Sequence, residues 1–348
     1  METLGQANRT AATLVVAPNW VGDLVMAEPV FRALASSGRE LVVLARPSLS
    51  PLVSLLPGVV AVIPRPKETR QTIERLARLQ VAEAVVLPHS FRSAWWVARA
   101  GIPSRFGYRG DGRAWLLRPA VARPRGIRPQ VEDYRELLEA MRVSLPDSWV
   151  PRLEVPESLR AQGLERWARA GISIAESSPK PRLVGLLPAG EWGPSKRWPW
   201  QHFVELARLL RQAQPQVRIA ILCGPKELWT AVRIREETGN IHPVVGPELD
   251  LAGLAAVLAH LDVAVTNDSG PMHLAAALGV PTVALFGPTD PRRTAPPGSH
   301  HQVLTRNLWC SPCFFRRCPL LYHGCLRLLE PRVVLEAIQG VLQGKNSG

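Results

Sequence analysis

The feature that most restricts the fold is a repeated switch between short apolar runs and helix-length amphipathic segments. TLVVAP (13–18), ELVVLA (40–45), VVAVIP (59–64) and AEAVVLP (82–88) are of strand length. Their near-continuous apolar character suits strands covered on both faces. Between them lie helix-like stretches such as 24–36 and 68–80. A strand, a helix and another strand in succession predict βαβ units and a parallel sheet. The pattern breaks at 119–130 and across the Pro-containing stretch 144–157, and it restarts at RLVGLLPA (182–189). VRIAILCG (217–224), DVAVTN (262–267) and TVALFGP (282–288) follow as strands with helical stretches between them. The polar segment AESSPKPR (175–182) marks the expected boundary, which gives domains 1–175 and 176–348. The helix expected at the C-terminus, 331–344, could pack back on the first half. The predicted fold class is α/β, two doubly wound halves facing each other across a cleft.

At 348 residues, 46% hydrophobic and 20% charged, the chain has apolar material for two cores, which excludes wholesale disorder. No apolar stretch approaches the ~20 residues that span a bilayer. The opening METLGQANRTAA lacks the apolar centre of a signal peptide, so a cytosolic protein is expected. The net charge of +13 favours anionic partners: nucleic acid, anionic lipid or a phosphorylated glycolipid. Four of the five cysteines, Cys310, Cys313, Cys318 and Cys325, cluster as C-x2-C-x4-C-x6-C, with His323 between the last two. The first pair has zinc-like spacing. A bound zinc, an iron–sulfur cluster and unligated thiols all remain open.

In parallel sheets, ligands sit beyond the carboxyl ends of strands, so the loops there carry the chemistry. The first is NWVGD, where Gly22 allows close approach and Asp23 stands at a helix N-terminus. Helix capping and general-base roles are both open to Asp23. The second is PAGEWGPSKRWPW (188–200), whose Lys196 beside a Gly-rich turn suits a phosphate. The third is 266–291, in which Asn267 and Asp268 end a strand, Ser269 and Gly270 open a helix, and His273 lies in its first turn. A helix N-terminus lined by small residues is an anion site. Thr289, in the next strand-end turn, could add a hydroxyl. No G-x-G-x-x-G and no G-x-x-x-x-G-K-[ST] occurs, which disfavours nicotinamide and P-loop enzymes. No RNA-recognition motif with stacking aromatics is visible, so nucleic acid is not the expected partner.

Taken together, NWVGD, PAGEWGPSKRWP, NDSGPMHLAAALGVPTVALFGPTDP and CSPCFFRRCPLLYHGCL resemble the family 9 glycosyltransferases over nearly the whole chain, with 105–180 the least diagnostic part. The resemblance implies a GT-B fold, two Rossmann-like domains with the acceptor on the first and ADP-heptose on the second. It implies inverting transfer of heptose from ADP-L-glycero-D-manno-heptose to the inner core of lipopolysaccharide. The cysteine-containing tail favours the branch that adds a second heptose to the first. By resemblance, Asp23 is the catalytic base, with Gly22 as its loop glycine. Lys196 meets the donor diphosphate. Asp268, Ser269, Gly270 and His273 form the donor block, joined by Thr289 and Glu191. Glu227 is the nearest candidate for a further donor-binding glutamate, although GPKELW departs from the family pattern.

No cofactor or metal is implied beyond the donor, and the chain contains no D-x-D, the diphosphate–metal clamp of another glycosyltransferase class. The acceptor is expected to be an anionic glycolipid held by arginines such as Arg65, Arg92, Arg105 and Arg109, with peripheral contact at the cytoplasmic face of the inner membrane. Rival readings are a relative with another donor or acceptor, and a basic sugar-nucleotide-binding protein without activity.

Overall fold

The computed structural model describes residues 12–174 and 181–344. The chain divides into two compact units, Met1–Leu153 and Glu154–Gly348. The first is built on strands β1 (Ala12–Val16), β2 (Glu40–Ala45), β3 (Val59–Pro64), β4 (Glu83–Val86), β5 (Ser104–Tyr108) and β6 (Ala120–Val121). The second is built on β7 (Leu183–Leu187), β8 (Arg218–Leu222), β9 (Val244–Val245), β10 (Val263–Asn267), β11 (Thr282–Phe286) and β12 (Gln302–Thr305).

The sheet orders are β3-β2-β1-β4-β5-β6 and β12-β11-β10-β7-β8-β9, and every strand pair is parallel. Counted from its own first strand, each sheet has the same doubly wound order. The central strands explain the apolar runs, since Leu14 and Val15 point to opposite faces and both are fully buried. In this order the chain reverses direction across the sheet at one place. The loops leaving the two strands there diverge and open a ligand crevice. That place is β1/β4 in the first unit and β7/β10 in the second.

The stretch expected as one helix over 24–36 is two, Val21–Met26 and Glu28–Ser36. Pro29 has no N–H to continue the first helix, but it is well placed at the start of the second. The buried Glu28 accepts from Arg32 Nε at 3.0 Å and from the Arg152 amide at 3.0 Å. Arg32 Nη2 also donates to the carbonyls of Ser148 and Val150, both at 3.0 Å. These bonds tie the Pro-containing stretch to the first unit as far as Leu153.

The expected boundary at 175–182 falls largely outside the described residues. The helix Glu157–Arg169, expected in the first domain, packs on the second unit instead. Its Gly163 meets the helix Leu251–Leu258 so closely that a Cβ would lie 2.4 Å from the Ala256 carbonyl oxygen. Trp167, fully buried, donates from Nε1 to the Val257 carbonyl at 3.1 Å. The last helix, Pro331–Leu342, buries Val334 and Ile338 in the core of the second unit and not against the first. Among the described residues, no helix is long and apolar enough to cross a membrane.

Candidate active site

In the first unit the β1 loop delivers Asp23. The N-cap of Val21–Met26 is Trp20, with extended backbone, and Gly22 and Asp23 fill the first turn. Asp23 is therefore not the N-cap, although its charge suits the positive end of the helix. Its Oδ1 accepts from Gln130 Nε2 at 2.8 Å. Tyr134 is fully enclosed, and burial, followed by the charges of Asp23 and Asp133, raises its hydroxyl above the ordinary range. Across the crevice, beyond β4, His89 stacks on Tyr108 with ring centroids 5.9 Å apart. Burial, then Arg123 and Arg113, lowers the pKa of this imidazole and favours its neutral form.

The four arginines expected near an acceptor divide in two. Arg65 donates to Asn19 Oδ1 at 2.8 Å and lies over the Trp96 ring. Its pKa is lowered by burial and then by the neighbouring charges of Arg46 and Arg92. Arg46 donates to the Asn19 carbonyl at 3.2 Å. Thus Arg65 and Arg46, the latter not foreseen, both bind Asn19 in the loop that carries Asp23, and the charge of Arg92 is felt at Arg65. Arg105 is excluded from ligand contact. It is buried, with its guanidinium bonded to the carbonyls of Leu116 (2.6 Å), Ile102 and Pro103 (3.1 Å). Arg109 is exposed beyond β5.

In the second unit the crevice between β7 and β10 holds a compact polar cluster. Lys196 Nζ meets Asp268 Oδ2 at 2.6 Å, and Thr289 Oγ1 donates to the same oxygen at 2.5 Å. The pair is largely screened from solvent, with Asp268 only 4% exposed. Asn267 links the two strand-end loops, accepting from the Trp198 amide at 3.0 Å and donating to the Ala189 carbonyl at 2.9 Å. Lys196 also lies 5.1 Å from the centroid of the Trp192 ring. Gly193 is required by a close approach, because a Cβ there would lie 2.5 Å from the Arg316 carbonyl oxygen. Ser269 is the N-cap of Gly270–Ala277 and makes no side-chain cap bond.

Burial, only partly opposed by Asp268, pushes the His273 pKa down to about 4. A neutral imidazole therefore lies beneath the cluster. Because the unfolded chain takes up this proton first, the stability due to His273 is complete above pH ~6.5 and is lost as pH falls toward about 4. The full loss is on the order of 3 kcal/mol. The urea midpoint should therefore fall less steeply between pH 7 and 5 in His273→Gln than in the parent. Equal slopes would contradict a buried neutral His273.

Glu191 takes a different place from the cluster. It is exposed and paired with Lys226 at 2.5 Å. Glu227 is buried beyond β8, and burial raises its carboxyl pKa against the opposing charge of Arg197. Cys310, Cys313, Cys318 and Cys325 form no disulfide. Among the described residues, no group of three or more His, Cys, Asp or Glu is arranged to hold a metal ion.

Two doubly wound units in one chain are the architecture of the GT-B class of transferases, and the second unit carries a lysine, a carboxylate and a hydroxyl together at its strand ends. The chain belongs to glycosyltransferase family 9 (heptosyltransferase), whose model matches residues 69–323. It is 34% identical over 356 aligned positions to lipopolysaccharide heptosyltransferase 2 of Escherichia coli strain K12, covering 94% of this chain and 98% of that one. It is 32% identical over 312 positions to lipooligosaccharide heptosyltransferase 2 of Haemophilus ducreyi, covering 84% and 88%. The solved structure of the E. coli ADP-heptose lps heptosyltransferase II superposes with a TM-score of 0.80 at 29% identity, covering 97% of this chain and all of that one.

Proposed function

We propose that the protein transfers heptose from ADP-L-glycero-D-manno-heptose to the inner core of lipopolysaccharide, adding a second heptose to the first, with inversion at the anomeric carbon. The observation that carries this reading is the buried Lys196–Asp268–Thr289 cluster at the N-terminus of Gly270–Ala277. Transfer at an anomeric carbon develops positive charge on the sugar and negative charge on the departing diphosphate. Lys196 and the backbone amides at 269–270 stabilise the leaving charge. Asp268 holds Lys196 in place, and Thr289 fixes Asp268. Glu191 and Glu227, on neighbouring strand-end loops, are candidates for the rest of the donor.

Inversion needs one in-line attack and one base. Asp23 takes the acceptor proton, oriented by Gln130. A carboxylate is a weak base. Its contribution rests on being fixed at the attacking hydroxyl. The absence of D-x-D from the sequence supports a metal-independent reaction, so a chelator should leave the rate unchanged. Arg46, Arg65 and Arg92 supply positive charge for an anionic acceptor beside Asp23. An acceptor of this kind supports a cytoplasmic protein that is peripheral at the inner membrane.

Release of ADP tests the reading. It is expected when ADP-heptose is supplied with a core glycolipid bearing one heptose. UDP-sugars should give no turnover. Turnover of a UDP-sugar in place of ADP-heptose would replace this reading with a different donor specificity.

A further inference from the structure

The transfer reaction does not explain the composition of the loop between β12 and the last helix. Trp309, Phe314, Phe315, Leu320, Leu321 and Tyr322 are all exposed, Trp309 at 89% and Leu321 at 83%. From Pro291 to Leu329 the sequence contains six arginines and no Asp, Glu or Lys. Four of them, Arg306, Arg316, Arg317 and Arg327, lie exposed in or beside this loop. A plain connection would present small polar side chains here.

The loop backbone is anchored. The amides of Cys313 and Phe314 donate to the Pro288 carbonyl at 3.0 and 2.8 Å. Ser311 Oγ donates to the Gly287 carbonyl at 2.5 Å. The Ser195 hydroxyl donates to the Phe315 carbonyl at 2.6 Å, and its amide donates to the Arg316 carbonyl at 3.3 Å. A backbone fixed in this way presents its apolar side chains without the entropy cost of ordering a free loop on binding. It also joins the loop directly to the residue preceding Lys196.

The charge pattern selects the partner. A second copy docked through the same loop would set arginines against arginines, with no acid within the loop to pair them. An anionic bilayer supplies the missing negative charge along with an apolar layer beneath it. Aromatic and leucine side chains flanked by arginines match the chemistry of the membrane interface. We propose that the loop 306–327 docks on an anionic lipid surface. Trp309, Leu320 and Leu321 enter the headgroup–acyl boundary, and the arginines meet lipid phosphates. This deepens the reading above, in which the acceptor is a membrane glycolipid, but vesicle binding can be measured without any acceptor.

The test is flotation of the full chain with vesicles of phosphatidylcholine and phosphatidylglycerol, against vesicles of phosphatidylcholine alone. The parent should float with the anionic vesicles and be released by salt. At about fivefold per arginine, the double variant Arg306→Gln/Arg317→Gln should bind about 30-fold more weakly. Trp309→Ser/Leu321→Ser should lose about tenfold or more. Both variants should fold as the parent does, because the altered side chains are exposed. Both should keep full transfer to a soluble, delipidated core oligosaccharide while losing transfer to vesicle-embedded acceptor. Unchanged flotation in both variants overturns the docking surface, whatever the transferase does. Loss of flotation together with no heptose transfer to any acceptor upholds the surface and rejects the transferase reading. A parent that self-associates, ignores vesicles and becomes monomeric in the variants makes this surface an interface between copies and overturns the proposal.

Discussion

Asp23→Ala is expected to lower turnover about 1,000-fold, the middle of the range for loss of a positioned general base. ADP-heptose affinity, measured by calorimetry without acceptor, should stay within about twofold, because the donor groups proposed here all lie in the other unit. Asp23→Asn separates charge from shape. It keeps a polar group of the same size beside Gln130 but cannot accept the acceptor proton, so it should be nearly as slow as the alanine variant. Gln130 acts through Asp23 and is a positioning residue. Gln130→Ala should lower kcat about tenfold with little change in donor KM, since misplacing the base removes part of its advantage and none of the donor contacts. An Asp23→Asn enzyme within a few fold of the parent rate would remove Asp23 from the proton transfer.

Lys196→Ala should cost about 100- to 1,000-fold in kcat/KM, the scale seen when one preorganised stabiliser of developing negative charge is lost. Two effects combine. The diphosphate loses its cation, and Asp268 is left as a buried carboxylate facing an anionic donor. Removing one member of a buried pair costs about 3 kcal/mol or more of stability, and the penalty falls when both members are removed. Lys196→Ala/Asp268→Ala should therefore regain much of the thermal stability that the single variant loses, yet remain as poor with ADP-heptose. Recovery of donor use in the double variant would mean that Lys196 serves the fold and not the donor. Asp268→Asn should be the milder change, because it keeps the Thr289 hydrogen bond and leaves Lys196 charged.

The duplicated architecture is legible because its central strands are continuous apolar runs, a pattern that only strands covered on both faces require. The edge strands β6 and β9 are two residues long, too short to show any periodicity, and β12 lies in a stretch without alternation. The helix Glu157–Arg169 is visible as a helix only weakly, and its allegiance to the second unit depends on Trp167 and Gly163 meeting a helix some ninety residues later. The candidate site divides in the same way. Lys196, Asp268 and Thr289 follow strand ends, and Asp23 and His273 lie in the first turns of the helices that come next, so all five can be picked out from the order of elements. Their pairings cannot, because Lys196 and Asp268 are 72 residues apart and Asp23 and Gln130 are 107 apart. Gln130 sits in a single 3₁₀ turn with no motif around it. Arg105 shows the converse. Its charge marked it as a ligand contact, but three backbone carbonyls need its guanidinium inside the fold.

The most direct measurement is product analysis after incubation of the protein with ADP-heptose and a core glycolipid bearing one heptose. Mass spectrometry should show the gain of a single heptosyl group, and NMR of the new linkage should show an anomeric configuration opposite to that of the donor. A product with retained configuration, or an acceptor that returns unchanged while ADP-heptose is bound, would contradict single-displacement transfer by Asp23.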